Sequence, residues 1–155
     1  WNFRKGLDWM LLDYPAHQVF KRYITDLNAF YLQSSELWEV DYSWDGFKWI
    51  SENDREQNII VFMRLNKKGK VIIVVQNFAP VKREAYAFGV PFGGKYREVF
   101  NSDAAIYGGE GIANEVKPSE KSAMHGFEQS IKITIPPLST ICFKALVNKS
   151  YKENN

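Results

Sequence analysis

Cysteine is almost absent from this chain: Cys142 is the only one in 155 residues. One thiol excludes an internal disulfide framework. Its neighbours Ile141 and Phe143 suit a strand, so it reads as a buried structural thiol rather than a nucleophile. Its isolation points to a reducing, cytoplasmic compartment. Histidine is equally scarce. His17 and His125 stand far apart without a companion cysteine or carboxylate motif, a poor pattern for a metal, and each is expected to pack or hydrogen-bond. No metal and no cofactor is expected. The net charge is only +2 and the basic residues are scattered, which argues against nucleic acid and against an anionic membrane. The one basic run, Lys67-Lys68-Gly69-Lys70, reads as a solvated turn. No apolar run approaches the roughly 20 residues of a membrane span, and no charged-then-apolar leader or internal repeat is visible.

Aromatic residues, in contrast, are plentiful: 5 Trp, 8 Tyr and 11 Phe, or 15% of the chain. Such a surplus suits a β-rich core and equally a surface that stacks on sugar rings. With 45% hydrophobic and 25% charged residues the chain has the make-up of a globular protein, and its length suffices for one compact domain with a real core.

Two periodicities divide it. Over residues 15–33 the apolar positions Val19, Phe20, Tyr23, Ile24, Leu27, Phe30 and Tyr31 fall at helical spacing and form one wide stripe. Pro15 suits the first turn of that helix, and Ser34-Ser35-Glu36 ends it or caps a short further turn. The stripe needs a partner, and a neighbouring domain is preferred to the β region that follows. After Asp41 the pattern becomes short β runs separated by turn signals. Strands are expected over residues 47–50, 59–65, 71–77, 84–89, 96–100, 131–135 and 140–146. The second and third form a hairpin with both faces largely buried. Pro136-Pro137 breaks the last pair and places both near an edge or turn. Residues 111–126 read as a polar surface loop and 148–155 as a frayed polar tail. The fold class is mainly β: an antiparallel sandwich of Greek-key type with about 7–8 strands, preceded by an amphipathic helix.

Few residues carry chemistry. Asp8 precedes a helix and suits a turn or cap, and Asp103 follows Asn-Ser, where an Asx-turn is the default. Asp41 and Asp54 are the other tempting carboxylates, and Glu36 and Glu39 flank Trp38 with no obvious partner acid nearby. No catalytic residue is assigned. Gly93-Gly94 and Gly108-Gly109 match neither a P-loop nor a dinucleotide fingerprint and read as turns. Trp44, Trp49 and Tyr107, with Tyr42, are the aromatic candidates for sugar stacking, and Asn101 and Asp103 are candidates for binding hydroxyls. The competing role for these aromatics is to fill the joint between helix and sandwich.

Several segments occur together in recognisable order. They are Leu7-Asp8-Trp9, Pro15 and His17; Asp26-Leu27-Asn28 and Tyr31; Trp38-Glu39-Val40-Asp41; and Gly46-Phe47-Lys48-Trp49-Ile50. Next come Gln76-Asn77-Phe78-Ala79-Pro80, Gly89-Val90-Pro91, Gly94-Lys95-Tyr96 and Asn101-Ser102-Asp103 with Tyr107-Gly108-Gly109-Glu110-Gly111. Asn114, His125-Gly126 and Pro136-Pro137-Leu138 complete the set. Across residues 1–147 the chain resembles the C-terminal part of glycogen branching enzymes, transglycosylases of the α-amylase superfamily. The resemblance implies that residues 1–41 are the end of a (β/α)8 catalytic barrel with its last helix, that 42–147 are the all-β sandwich, and that 148–155 are the tail. It implies a parent that cuts an α-1,4 glucan, glycogen or amylose, and rejoins the segment as an α-1,6 branch. In such retaining enzymes the nucleophile and acid/base carboxyls stand about 5–5.5 Å apart on earlier barrel strands. Nothing here matches those motifs, so the chain is expected to be inactive without the missing barrel. Trp1 and Trp9 would lie near that barrel, and the sandwich would buttress it and help select chain lengths. The alternatives are a stand-alone glucan-binding module and a structural domain that docks a protein through the helix stripe.

Overall fold

The computed structural model describes residues 2–151; Trp1 and the end of the polar tail lie outside the described residues. A 3-10 turn, Trp9–Asp13, leads into the helix α1, Pro15–Gln33, with Pro15 in its first turn, where a missing N–H costs nothing. A second 3-10 turn, Ser35–Leu37, follows Ser34, and a third, Trp44–Gly46, precedes the first strand. The strands are β1 Phe47–Asp54, β2 Ile59–Leu65, β3 Val71–Asn77, β4 Arg83–Val90, β5 Lys95–Asn101, β6 Lys117–Pro118, β7 Gln129–Ile135 and β8 Thr140–Ala145. They pair antiparallel throughout, as a six-stranded sheet in the order β1-β2-β3-β8-β5-β6 and a two-stranded sheet β4-β7. The chain crosses repeatedly between the sheets, and the expected antiparallel sandwich with a leading helix is what forms.

The apolar runs explain the layers. In β3 five successive residues are buried, because both faces of the strand are covered. Ile73 and Val75 face inward and meet Val61, Met63, Phe88, Ile131, Ile133 and Ile135 between the sheets. Ile72 and Val74 face outward and join Phe100 and Cys142 beneath Tyr23, Leu27 and Phe30 of α1. Each such side chain contributes on the order of 1.5–3 kcal/mol on burial. The β2–β3 turn is held by Asn66, whose Oδ1 accepts from the N–H groups of Lys68 (3.0 Å) and Lys70 (2.9 Å), while Gly69 supplies the positive φ of 69°.

Four expectations change. The helix does not leave its whole stripe for another domain: Tyr23, Leu27 and Phe30 pack on the sheet, and Phe20 (62% exposed) and Leu32 (71% exposed) face outward with Ile24 and Tyr31. The helical period spreads the apolar residues over more surface than one sheet can cover. Second, the edge-or-turn expectation for the pair around Pro136-Pro137 holds for the turn and for β7, which pairs only with β4, but β8 sits inside the larger sheet between β3 and β5. Third, the polar stretch 111–126 contains the short strand β6 and a bridge from Glu120 to Ser130. Fourth, the tail is held as far as Tyr151. Its N–H donates to the Gly69 carbonyl (2.8 Å) and its ring packs on Phe127, while Asn148 accepts from the Lys70 ammonium (2.6 Å).

Candidate functional site

The five residues singled out for sugar contact fall in two places. Asn101 ends β5, and Asp103 and Tyr107 lie in the loop that follows. There Asp103 is buried, and its two carboxylate oxygens accept from the N–H groups of Glu110 (3.1 Å) and Ile112 (3.0 Å). The Asp103 N–H donates to Asn101 Oδ1 (2.8 Å), and Asn101 Nδ2 donates to Glu98 (2.9 Å) and to the Ile112 carbonyl (2.8 Å). Gly109 lies so close over this turn that a Cβ would come within 2.2 Å of the Asp103 carbonyl oxygen. The order Asn-Ser-Asp followed by Gly-Gly is thus a self-locking turn, with its polar atoms aimed at its own backbone. Tyr107 then docks the loop to the helix. Its hydroxyl donates to Asp26 (3.0 Å), and its ring meets Tyr23 edge-on at 5.3 Å. The Arg22 guanidinium beside Asp26 (2.7 Å) holds that carboxyl below its ordinary range, and burial followed by the hydrogen bond to Asp26 raises the Tyr107 phenol. Tyr107, together with Phe30 stacked on Phe100 (4.9 Å), fills the joint between helix and sandwich.

Trp44 and Trp49 lie elsewhere, on the connector and on β1. Trp49 is half exposed on the outer face of the sheet, edge-on to Phe47 (4.8 Å) and Phe62 (5.9 Å). Trp44 (86% exposed) and Tyr42 (81% exposed) stand out from the surface. The segment bearing them is rigidly tied. Lys144 donates to the buried Glu36 (3.1 Å), Asn66 Nδ2 donates to Ser35 (2.9 Å), the Lys67 N–H donates to Glu39 (3.1 Å), and Arg64 pairs with Asp41 and donates to the Gly46 carbonyl. Ser43 caps the 3-10 turn by accepting from the Asp45 N–H (3.2 Å). Beside the two aromatics opens a cavity of about 460 Å³, in the range of a small-ligand site, where Asp45, Asn66 and Lys67 supply polar groups. Exposed, anchored rings next to hydrogen-bonding side chains can stack on the apolar face of a sugar.

The other residues weighed in the sequence are engaged in the fold. Asp8 does not cap the turn after it; its carboxylate pairs with exposed Lys5 (3.0 Å), a contact worth little. Asp54 accepts from the Tyr86 hydroxyl (2.9 Å), and burial, then this carboxylate, pushes the phenol up to about 12. His125 Nδ1 accepts from the Gly89 N–H (3.3 Å), so the neutral ring carries its proton on Nε2, and burial lowers its pKa. Burial drives the Cys142 thiol up to about 12, which makes it inert. Asp54, Tyr86 and His125 line one groove of about 660 Å³ that sequence reasoning missed. They are far apart in the chain, and β4 meets the groove at the register shift between Arg83 and Tyr86, where Ala85 has φ 51°.

Residues 49–145 match the family described as alpha amylase, C-terminal all-beta domain. The chain belongs to this family. It is also similar to several proteins named 1,4-alpha-glucan branching enzyme GlgB. That of Halothermothrix orenii is 50% identical over 149 residues, which is 94% of this chain and 24% of that protein. That of Aquifex aeolicus is 44% identical over 93% of this chain and 23% of its own length. That of Synechococcus sp. (strain CC9311) is 42% identical over 99% of this chain and 20% of its own. The chain spans a quarter or less of the curated relatives it matches. The match begins at Trp49, within β1, so the helix, the connector and Trp44 lie before the matched residues.

Proposed function

We propose that the chain is the C-terminal part of a 1,4-α-glucan branching enzyme. In this reading the parent is a retaining glycosyltransferase of glycogen synthesis, which cleaves α-1,4 glucan and forms α-1,6 branches. Residues 1–41 end its catalytic barrel, 42–147 are the sandwich and 148–155 the tail. The observation that carries the reading is the match of over nine-tenths of this chain to proteins named as branching enzymes. The two-sided helix supports it: one stripe of α1 sits on the sheet, and the outward stripe of Phe20, Ile24 and Leu32 is suited to the rest of the barrel. The catalytic carboxylates belong to that other part, so the chain alone is inactive. A cytoplasmic setting fits its one inert thiol. Chain mixed with amylose leaves iodine staining unchanged, whereas the parent lowers it; branching by the chain alone would overturn the division of labour.

The exposed pair Tyr42 and Trp44 favours a second role compatible with the first, contact with α-glucan outside the catalytic centre. Trp44 and Trp49 are the residues assigned to that contact. Asn101, Asp103 and Tyr107 serve the loop and the joint. Electrophoresis through a gel containing glycogen tests the assignment: retardation of the chain that is lost on Trp44→Ala supports it, and unretarded migration sinks it.

A further inference from the structure

The two sheets are unequal, and their mismatch leaves an open seam. The two-stranded sheet covers the inner face of the larger one, yet β1 and β4 at the edges do not pair. Four hollows share walls in a row that starts at the connector and ends in this seam. Tyr42 and Trp44 line the first two, Lys48 and Tyr151 line the second and third, and His125 lines the third and the fourth, the groove of Asp54 and Tyr86. The path follows β1, whose eight residues extend about 26 Å at about 3.3 Å each. We propose that this seam holds an extended α-1,4-glucan chain, with the Tyr42–Trp44 end as its stacking platform and the Asp54–Tyr86 groove as its far end. The proposal rests on the reading that the parent acts on α-glucan, and it extends the contact from one platform to a track.

The lining selects this occupant. At the far end the groove presents the carboxylates of Glu52, Asp54 and Glu84 and the amides of Asn53 and Gln57, with no Lys or Arg. That set accepts hydrogen bonds from hydroxyls and offers an anion no cationic side chain in the lining. Asp54 already accepts from the Tyr86 hydroxyl and the Gln57 N–H, and Glu84 from Lys82, so a neutral donor would meet the remaining carboxylate lone pairs. A polypeptide adding as a strand would need a regular free edge, and β1 is broken by register shifts between Trp49 and Ser51 and between Ser51 and Asp54. A polymer with an apolar ring face and outward hydroxyls meets rings at one end and acceptors at the other.

Sugar length separates a track from a platform. The chain is titrated with maltotriose and with maltoheptaose, following backbone amide shifts, alongside Trp44→Ala, Glu52→Arg and Glu84→Arg. Glu52 and Glu84 are exposed, and Glu84 loses only its contact with exposed Lys82, so the amide spectra are expected to show intact folds. Trp44→Ala weakens both sugars about tenfold, and either Glu→Arg change weakens maltoheptaose about threefold while leaving maltotriose unchanged. Maltoheptaose shifts amides along β1 and at His125. Equal binding of both sugars with no effect of the Glu variants would overturn the track and leave the platform standing. No shift with either sugar would remove the platform and the track together. Shifts along β1 with a Thr-Val hexapeptide and none with maltoheptaose would make the seam a strand-addition edge and overturn the proposal.

Discussion

The loop after β5 and the connector around Trp44 are both rich in rings and hydrogen-bonding groups, and they direct them oppositely. In the loop, Asn101 and Asp103 are buried and satisfied by backbone, and Tyr107 reaches Asp26 across the joint. In the connector, Glu36, Glu39 and Asp41 anchor the backbone to Lys144, Lys67 and Arg64, so the aromatics of Tyr42 and Trp44 are left facing solvent. The difference is where the backbone needs help. A loop that folds over itself has its own N–H groups to satisfy, whereas a short 3-10 connector is satisfied by the sheet it crosses. Chemistry available to a ligand is what remains after that.

The contrast can be broken at either end. Phe100→Ala has the largest expected effect, a loss of about 3–5 kcal/mol in urea unfolding, because Phe100 is the shared ring of helix, loop and sheet. A loss below about 1 kcal/mol would mean the helix is only loosely seated. Asp103→Ala follows at roughly 2–4 kcal/mol, since it leaves the Glu110 and Ile112 N–H groups without their acceptor. Unchanged stability there would return Asp103 to the list of groups available to a ligand. Trp44→Ala is expected to shift stability by less than about 0.5 kcal/mol, as befits an exposed ring, and any larger loss would recast it as a packing residue.

The smallest effect concerns His125. Its folded-state pKa is lowered, so the unfolded chain binds the proton more readily, and its contribution is present above the ordinary value of 6.5 and is lost as the pH falls below it. Protonation also removes the acceptor that Nδ1 offers to Gly89. His125→Asn, which tolerates the φ of 52°, is expected to flatten the change in melting temperature between about pH 7 and 5. An unaltered pH profile would show that the contact of the ring with the Gly89 N–H contributes nothing to stability.

Much of the fold was legible beforehand because burial writes a period into the chain. The alternation of Ile131, Ile133 and Ile135 predicts one buried face, and all three lie in the inter-sheet core. Residues 15–33 have the helical period and form α1 with those bounds. The position of β8 had no such mark. Pro136-Pro137 indicates a turn, but whether the next strand lies at an edge or a centre depends on which partners are free. The aromatic candidates were equally ambiguous, because Tyr107 and Trp44 both stand in turn-forming segments with glycine and an acidic residue close by, and they differ in whether a helix stands over them.

Local chemistry alone made residues 101–111 a turn, since glycine at positive φ and short polar side chains that bond their own backbone need no distant partner. The same kind of information separated helix from strands and placed the chain among the branching-enzyme relatives. Distance in the chain hid the rest. The seam between β1 and β4 exists because a two-stranded sheet is laid on a six-stranded one, and the burial of Asp103 with the exposure of Trp44 depends on which elements pass over each of them. Those are outcomes of packing between segments, for which no single segment carries a periodic signal.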